Sequence, residues 1–80
     1  MICIATFYSH FGAMRCKKLC DEAGIPARLM PVPRMLSSSC GTCVRIEAED
    51  ASAIPRTDES EQIALELKDG YQILWKAENS

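Results

Sequence analysis

The chain has 80 residues, 48% of them apolar and 25% charged, with a formal charge of -2. One domain spanning residues 1–80 is all that fits, able to bury roughly 60% of its unfolded surface, and the ordinary composition excludes intrinsic disorder and a coiled coil. Few aromatics and scattered lysines make no nucleic-acid face, and the apolar opening is too short for a membrane span.

In chain order, Ile2 to Tyr8 (ICIATFY) is rich in strand formers and reads as a buried strand that carries Cys3 into the core. Ser9 then offers an N-cap, and HFGAMRCKKLCDEA runs as a helix to a stop at Gly24. Ala13, Cys16, Cys20 and Ala23 recur at helical spacing with Leu19 beside them, so this face turns inward, while Arg15, Lys17, Lys18, Asp21 and Glu22 lie on other faces. His10, at the helix start, reads as a capping or surface residue.

ARLMPVP is extended, because Pro31 and Pro33 push the residues before them out of helical geometry, and Pro31 suits an edge strand. A loop follows over Pro33 to Ser39. Beyond Gly41 the segment TCVRIEA alternates, with Thr42, Val44 and Ile46 on one face and Cys43, Arg45 and Glu47 on the other. EDASAI suits a short helical turn. In the last third, Asp58 as N-cap, Glu61 three residues on, strong helix formers and Gly70 as stop predict a second helix over TDESEQIALELKDG. The alternation of Ile63, Leu65 and Leu67 before Asp69-Gly70 scores the same region, near 62–76, as a hairpin with a type I′ turn. Tyr71 to Ala77 is a strand in either case, and Asn79–Ser80 a frayed end. The expected fold is therefore α+β, a two-layer ferredoxin-like βαββαβ domain, its second helix contested by the hairpin. An uncovered sheet face or edge in so small a domain favours a homodimer.

The charges are unevenly distributed. Residues 25 to 46 hold Arg28, Arg34 and Arg45 and no acid, whereas nine of the 11 acids fall in residues 47 to 80. The segment with Cys40 and Cys43 is thus cationic in sequence, which favours a thiolate or an anionic ligand unless the arginines are separate surface residues. The odd count of five cysteines and the lack of a leader point to a reducing, cytoplasmic setting rather than a disulfide scaffold.

Three chemistries suit these thiols. Cys40 and Cys43 form a Cys-x-x-Cys pair for thiol–disulfide exchange or redox sensing; an extended backbone would hold them beyond the roughly 7 Å Cα separation that a disulfide tolerates, so pairing needs a turn over Gly41-Thr42, which Gly41 makes possible. Cys16, Cys20, Cys40 and Cys43 have spacings that zinc accepts, although the helical pair already suits a buried face, and neither metal nor cofactor is the leading expectation. A noncatalytic interaction domain is the third, with the loop as the contact. No paired-carboxylate site, phosphate loop or nucleophilic triad is recognisable.

The run Leu29 to Arg34 (LMPVPR), followed by SSSCG and an alternating strand, resembles the small selenium/sulfur carrier protein-like family. The opening FYSHFGAM and the stretch EAGIPARLMPVPR agree with it, and the resemblance covers about residues 4 to 47. It implies that Cys40, before Gly41, accepts sulfur or selenium as a persulfide or selenopersulfide and passes it from a donor protein to an acceptor protein. In that reading Gly41 gives backbone room and Arg34 or Arg45 lowers the thiol pKa. Cys43 departs from the family pattern, where a small or apolar residue is usual. A thiol there could attack a persulfide on Cys40, expelling sulfide or selenide and leaving a disulfide.

Overall fold

The computed structural model describes residues 1–78, so the frayed end expected at Asn79–Ser80 lies outside the described residues. Strand β1 (Ile2–Phe7) runs through the middle of a five-stranded antiparallel sheet, and helix α1 (His10–Glu22) follows it. The other strands are β2 (Ala27–Pro31), β3 (Thr42–Glu47), β4 (Ser60–Leu67) and β5 (Gly70–Lys76), with a short 3-10 turn at Ala51–Ala53 before β4. Their spatial order is β2-β3-β1-β4-β5. Because β3 is antiparallel to both β1 and β2, those two strands run the same way with β3 between them, and α1 carries the chain across.

The helix is bounded as its sequence predicts. Ser9 caps the start by accepting the Gly12 N–H at 3.2 Å. At the other end Gly24 takes φ 73°, Ile25 N–H donates to the Cys20 carbonyl and Gly24 N–H to that of Asp21, the paired bonds of a Schellman stop. Gly12 also admits a neighbour: a Cβ there would lie 2.5 Å from that of Glu59. The inward face of α1, Ala13, Cys16 and Cys20, closes over Cys3, Ala5, Phe7, Val44, Ile46 and Ile63 in one apolar core.

The two-helix ferredoxin-like βαββαβ arrangement does not form. Among the described residues there is one α-helix, and the region expected as the second is the hairpin β4–β5, which makes this a mostly-sheet α+β fold. The polar cluster before it is real, but it closes a tight turn: Thr57 N–H donates to Ser60 Oγ at 2.9 Å and Glu59 N–H to Thr57 Oγ1 at 3.1 Å. The conformation of Ser60–Leu67 is decided by β1, whose second edge would carry unpaired backbone groups if β4 were helical. Helix propensity, a few tenths of a kcal/mol per residue, does not outweigh that ladder. The hairpin turn is not type I′ either. That type needs positive φ at both central residues, whereas no described non-glycine residue has positive φ and the two turn residues between the paired Leu67 and Gly70 are Lys68 and Asp69.

The helix-free face is also covered. Ile4, Thr6, Cys43 and Ala64 point away from α1 yet are fully buried. The segment between β2 and β3 lies across them, with Met35 Cε only 3.2 Å from where a Cβ on Gly70 would be and Ser37 to Ser39 held at the far end of β1 and β4. Strands β2 and β5 remain the two open edges.

Candidate functional site

Cys40 ends this covering segment. Its N–H donates to Ser38 Oγ at 3.2 Å, and one residue on, the Gly41 carbonyl accepts Val32 N–H at 3.1 Å, which begins the β2–β3 ladder. Thr42 Oγ1 lies 3.1 Å from His10 Nδ1, tying the segment to the first turn of α1. Cys40 is therefore held between a serine turn and a strand start, and it is half-buried where the other four cysteines are buried. A Cβ on Gly41 would meet nothing within 4 Å, so the space beside Cys40 on that side is open.

The serines are fixed by two consecutive residues of β4. Gln62 Nε2 donates to the Ser37 carbonyl at 2.7 Å. Glu61 Oε2 accepts Ser39 Oγ at 2.7 Å and Ser39 N–H at 3.2 Å, while Oε1 accepts Thr6 Oγ1 at 3.0 Å. Neighbours on a regular strand point to opposite faces, but the register slips here: Thr6 faces Gln62 and Phe7 faces Ser60, leaving Glu61 as the extra residue of a bulge. Burial works against ionisation of Glu61, yet the hydrogen bonds from Ser39, Ser38 and Thr6 outweigh it and hold the carboxyl below the usual range. An open cleft of about 270 Å³ beside these groups is lined by Ser37, Ser38, Ser39, Glu61, Gln62 and Lys76.

Cys43 sits elsewhere. It points to the helix-free face, as the alternation predicts, but is fully buried there, paired across the sheet with Thr6 and Met30. Its Sγ lies 3.6 Å from the Pro31 carbonyl, and burial pushes its pKa up to about 11. The covering segment, absent from a strand-by-strand reading, is what turns that second face into an interior. Residues 39–41 form a bend before β3 begins at Thr42, so Cys40 sits half-buried at the bend whereas Cys43 is enclosed on the helix-free face. Cys16 and Cys20 lie beneath α1, on the opposite side of the sheet from Cys43, and burial followed by the neighbouring Cys20 raises the Cys16 thiol to about 12. The four thiols weighed for zinc thus do not converge, and among the described residues no three His, Cys, Asp or Glu side chains group as metal ligands.

The arginines are not drawn together either. Arg45 pairs with Glu66 at 3.4 Å on the helix-free face and faces Arg28 across the strands, beside a shallow hollow at the other end of β3 from Cys40. Arg34 is an exposed residue of the covering segment. The charged group that the hydrogen bonds place beneath the serines is a carboxylate, Glu61, and a second, Glu59, takes the start of α1 through Ser9 Oγ.

Residues 2–67, with the Cys40 turn and its Glu61 support inside them, match the family model described as "Putative Se/S carrier protein-like". The chain belongs to that family. No curated protein and no solved structure matched it. No helix among the described residues is long and apolar enough to cross a membrane.

Sequence reasoning singles out Cys40 but not Glu61 or Gln62. Glu61, three residues after Asp58, reads locally as part of a helix cap, and no local pattern announces a bulge that opposes a serine run some 22 residues away.

Proposed function

We propose that this member of the Se/S carrier-like family carries sulfur or selenium on Cys40, receiving it from a donor protein and yielding it to an acceptor protein. The observation that supports this is the contrast among the five thiols: four are buried, and Cys40 alone is partly open, at the end of a held turn beside unfilled space at Gly41. A carrier thiol must be reached by two partners in succession, which buried thiols are not.

The chemistry balances without an external oxidant. The Cys40 thiolate attacks the outer sulfur of a persulfide or polysulfide donor; one S–S bond forms as another breaks, the donor leaves as a thiolate, and the Cys40 proton goes to solvent. An acceptor nucleophile then takes the outer atom and Cys40 departs as thiolate. Selenium follows the same course through an S–Se bond. The odd count of five cysteines, which cannot all pair within one chain, supports a place in the cytoplasm. The test is peptide-level mass spectrometry of the folded chain after incubation with sodium tetrasulfide and removal of the excess. A gain of one sulfur on the Cys40 peptide is expected; no adduct there, with the protein folded, would falsify the carrier reading.

A further inference from the structure

We propose that Glu61 is the positioning residue of this site: through Ser39 and Ser38 it sets where the Cys40 thiol stands, and so how readily Cys40 is charged. The inference rests on the carrier reading of Cys40.

Three observations carry it. Glu61 is a buried residue whose carboxylate accepts Thr6 Oγ1 on one oxygen and Ser39 Oγ and N–H on the other, contacts that reach 55 and 22 residues along the chain. Bonds to an ionised acceptor are about twice as strong as neutral ones, so Ser39 is held more firmly than a serine in an ordinary loop. Second, the bulge is needed for this. It lets Glu61 and Gln62, adjacent in sequence, both serve the same turn, and bulges of this kind re-aim side chains beside functional sites. Third, the grip passes directly to Cys40. Ser38 Oγ accepts the Cys40 N–H, and its single proton is shared between the Glu61 carboxylate and the Phe7 carbonyl 3.4 Å away at the end of β1, so both residues before the cysteine are tied to the central strands.

A carboxylate is also a costly choice for a mere staple. Withdrawing even part of it from water must be offset by donors such as these, whereas an apolar contact would join the segment to the sheet more simply. What the carboxylate adds is direction, because two oxygens in one plane fix Thr6 and Ser39 relative to each other.

The experiment compares the full-length chain with Glu61→Leu, which removes both acceptors, Glu61→Gln, which keeps an oxygen for Ser39 while its amide donates to Thr6 Oγ1, and Ser39→Ala. Three readouts are taken: amide hydrogen exchange at Ser39 and Cys40, the pH profile of Cys40 alkylation by iodoacetamide, and the rate of sulfur uptake from sodium tetrasulfide. Glu61→Leu is expected to speed exchange at Ser39 on the order of 10-fold or more, to move the alkylation profile and to change the uptake rate, with Glu61→Gln recovering most of each. Ser39→Ala alters an exposed residue and gives the same signs more weakly, so it decides the matter if Glu61→Leu does not fold. A lowered melting temperature with exchange, alkylation profile and uptake all unchanged at Cys40 makes Glu61 a structural staple and overturns the proposal. If the wild-type chain takes up no sulfur while exchange and alkylation still respond, the carrier reading falls and the positioning role stands.

Discussion

The two faces of the sheet are buried by different means. On one, α1 lays Ala13, Cys16 and Cys20 against Phe7, Val44, Ile46 and Ile63, and the contact is apolar. On the other, a segment without regular structure crosses Ile4, Thr6, Cys43 and Ala64, and it is held at its end by Glu61, Gln62 and three serines. The first cover satisfies its own backbone groups as a helix does; the second satisfies some within itself, as Leu36 N–H to the Pro33 carbonyl, and others through Glu61 and Gln62 of the sheet. A helix cover makes stability, and a loop cover makes a place where a side chain can be presented. Cys40 is at the end of the second.

The largest difference this comparison predicts is in thiol reactivity. At pH 8 a thiol titrating at about 11, as Cys43 does, is about one part in a thousand thiolate, and Cys16 at about 12 is less ionised still. Labelling of the folded chain with Ellman's reagent should therefore show one fast thiol, Cys40, and four slow ones that react as the protein opens; two or more fast thiols would mean that the loop cover does not seal Cys43.

Next in size is the apolar side. Phe7 is fully buried under α1, and Phe7→Ala should destabilise the protein by about 3–5 kcal/mol in urea unfolding, whereas Thr6→Val, its neighbour on the loop side, should cost only about 1–2 kcal/mol for the lost bond to Glu61. Equal losses at the two positions would erase the contrast between the faces.

The smallest effect is in pH dependence, and it belongs to the loop side alone. The folded carboxyl of Glu61 lies below its usual 4.5, so it contributes stability that is fully present above the unfolded value and is lost as pH falls through the folded one. Wild type should lose stability relative to Glu61→Gln as pH drops below about 4.5, and the two should run parallel from pH 6 to 8. Parallel curves at acid pH as well would show that Glu61 is not held ionised by its serines and threonine.

Much of the helix side is legible locally. Ser9, the inward spacing of Ala13, Cys16 and Cys20, and Gly24 specify a capped amphipathic helix, and these signals act within a few residues of one another. The alternation of TCVRIE likewise places Val44 and Ile46 inward. On the loop side the same local reasoning fails at the start of β4. Asp58 and Glu61 look like a helix start, because a turn stabilised by Thr57 and Ser60 uses the same polar residues as a cap. Arg45, near Cys40 in sequence, lies on β3 and pairs with Glu66 of β4, a contact that no local pattern announces.

The sequence by itself determined the elements whose signals are short-range: β1, the capped α1, the proline-marked edge strand β2 and the cysteine placed just before a strand. Only the tertiary structure decided that residues 60–76 are a hairpin, that Cys43 is interior and that a carboxylate rather than a guanidinium underlies the Cys40 turn. Each of those depends on what β1 pairs with and what crosses its second face. Such contacts join residues tens of positions apart, and the free energy that selects them belongs to the assembled sheet rather than to any window of the chain.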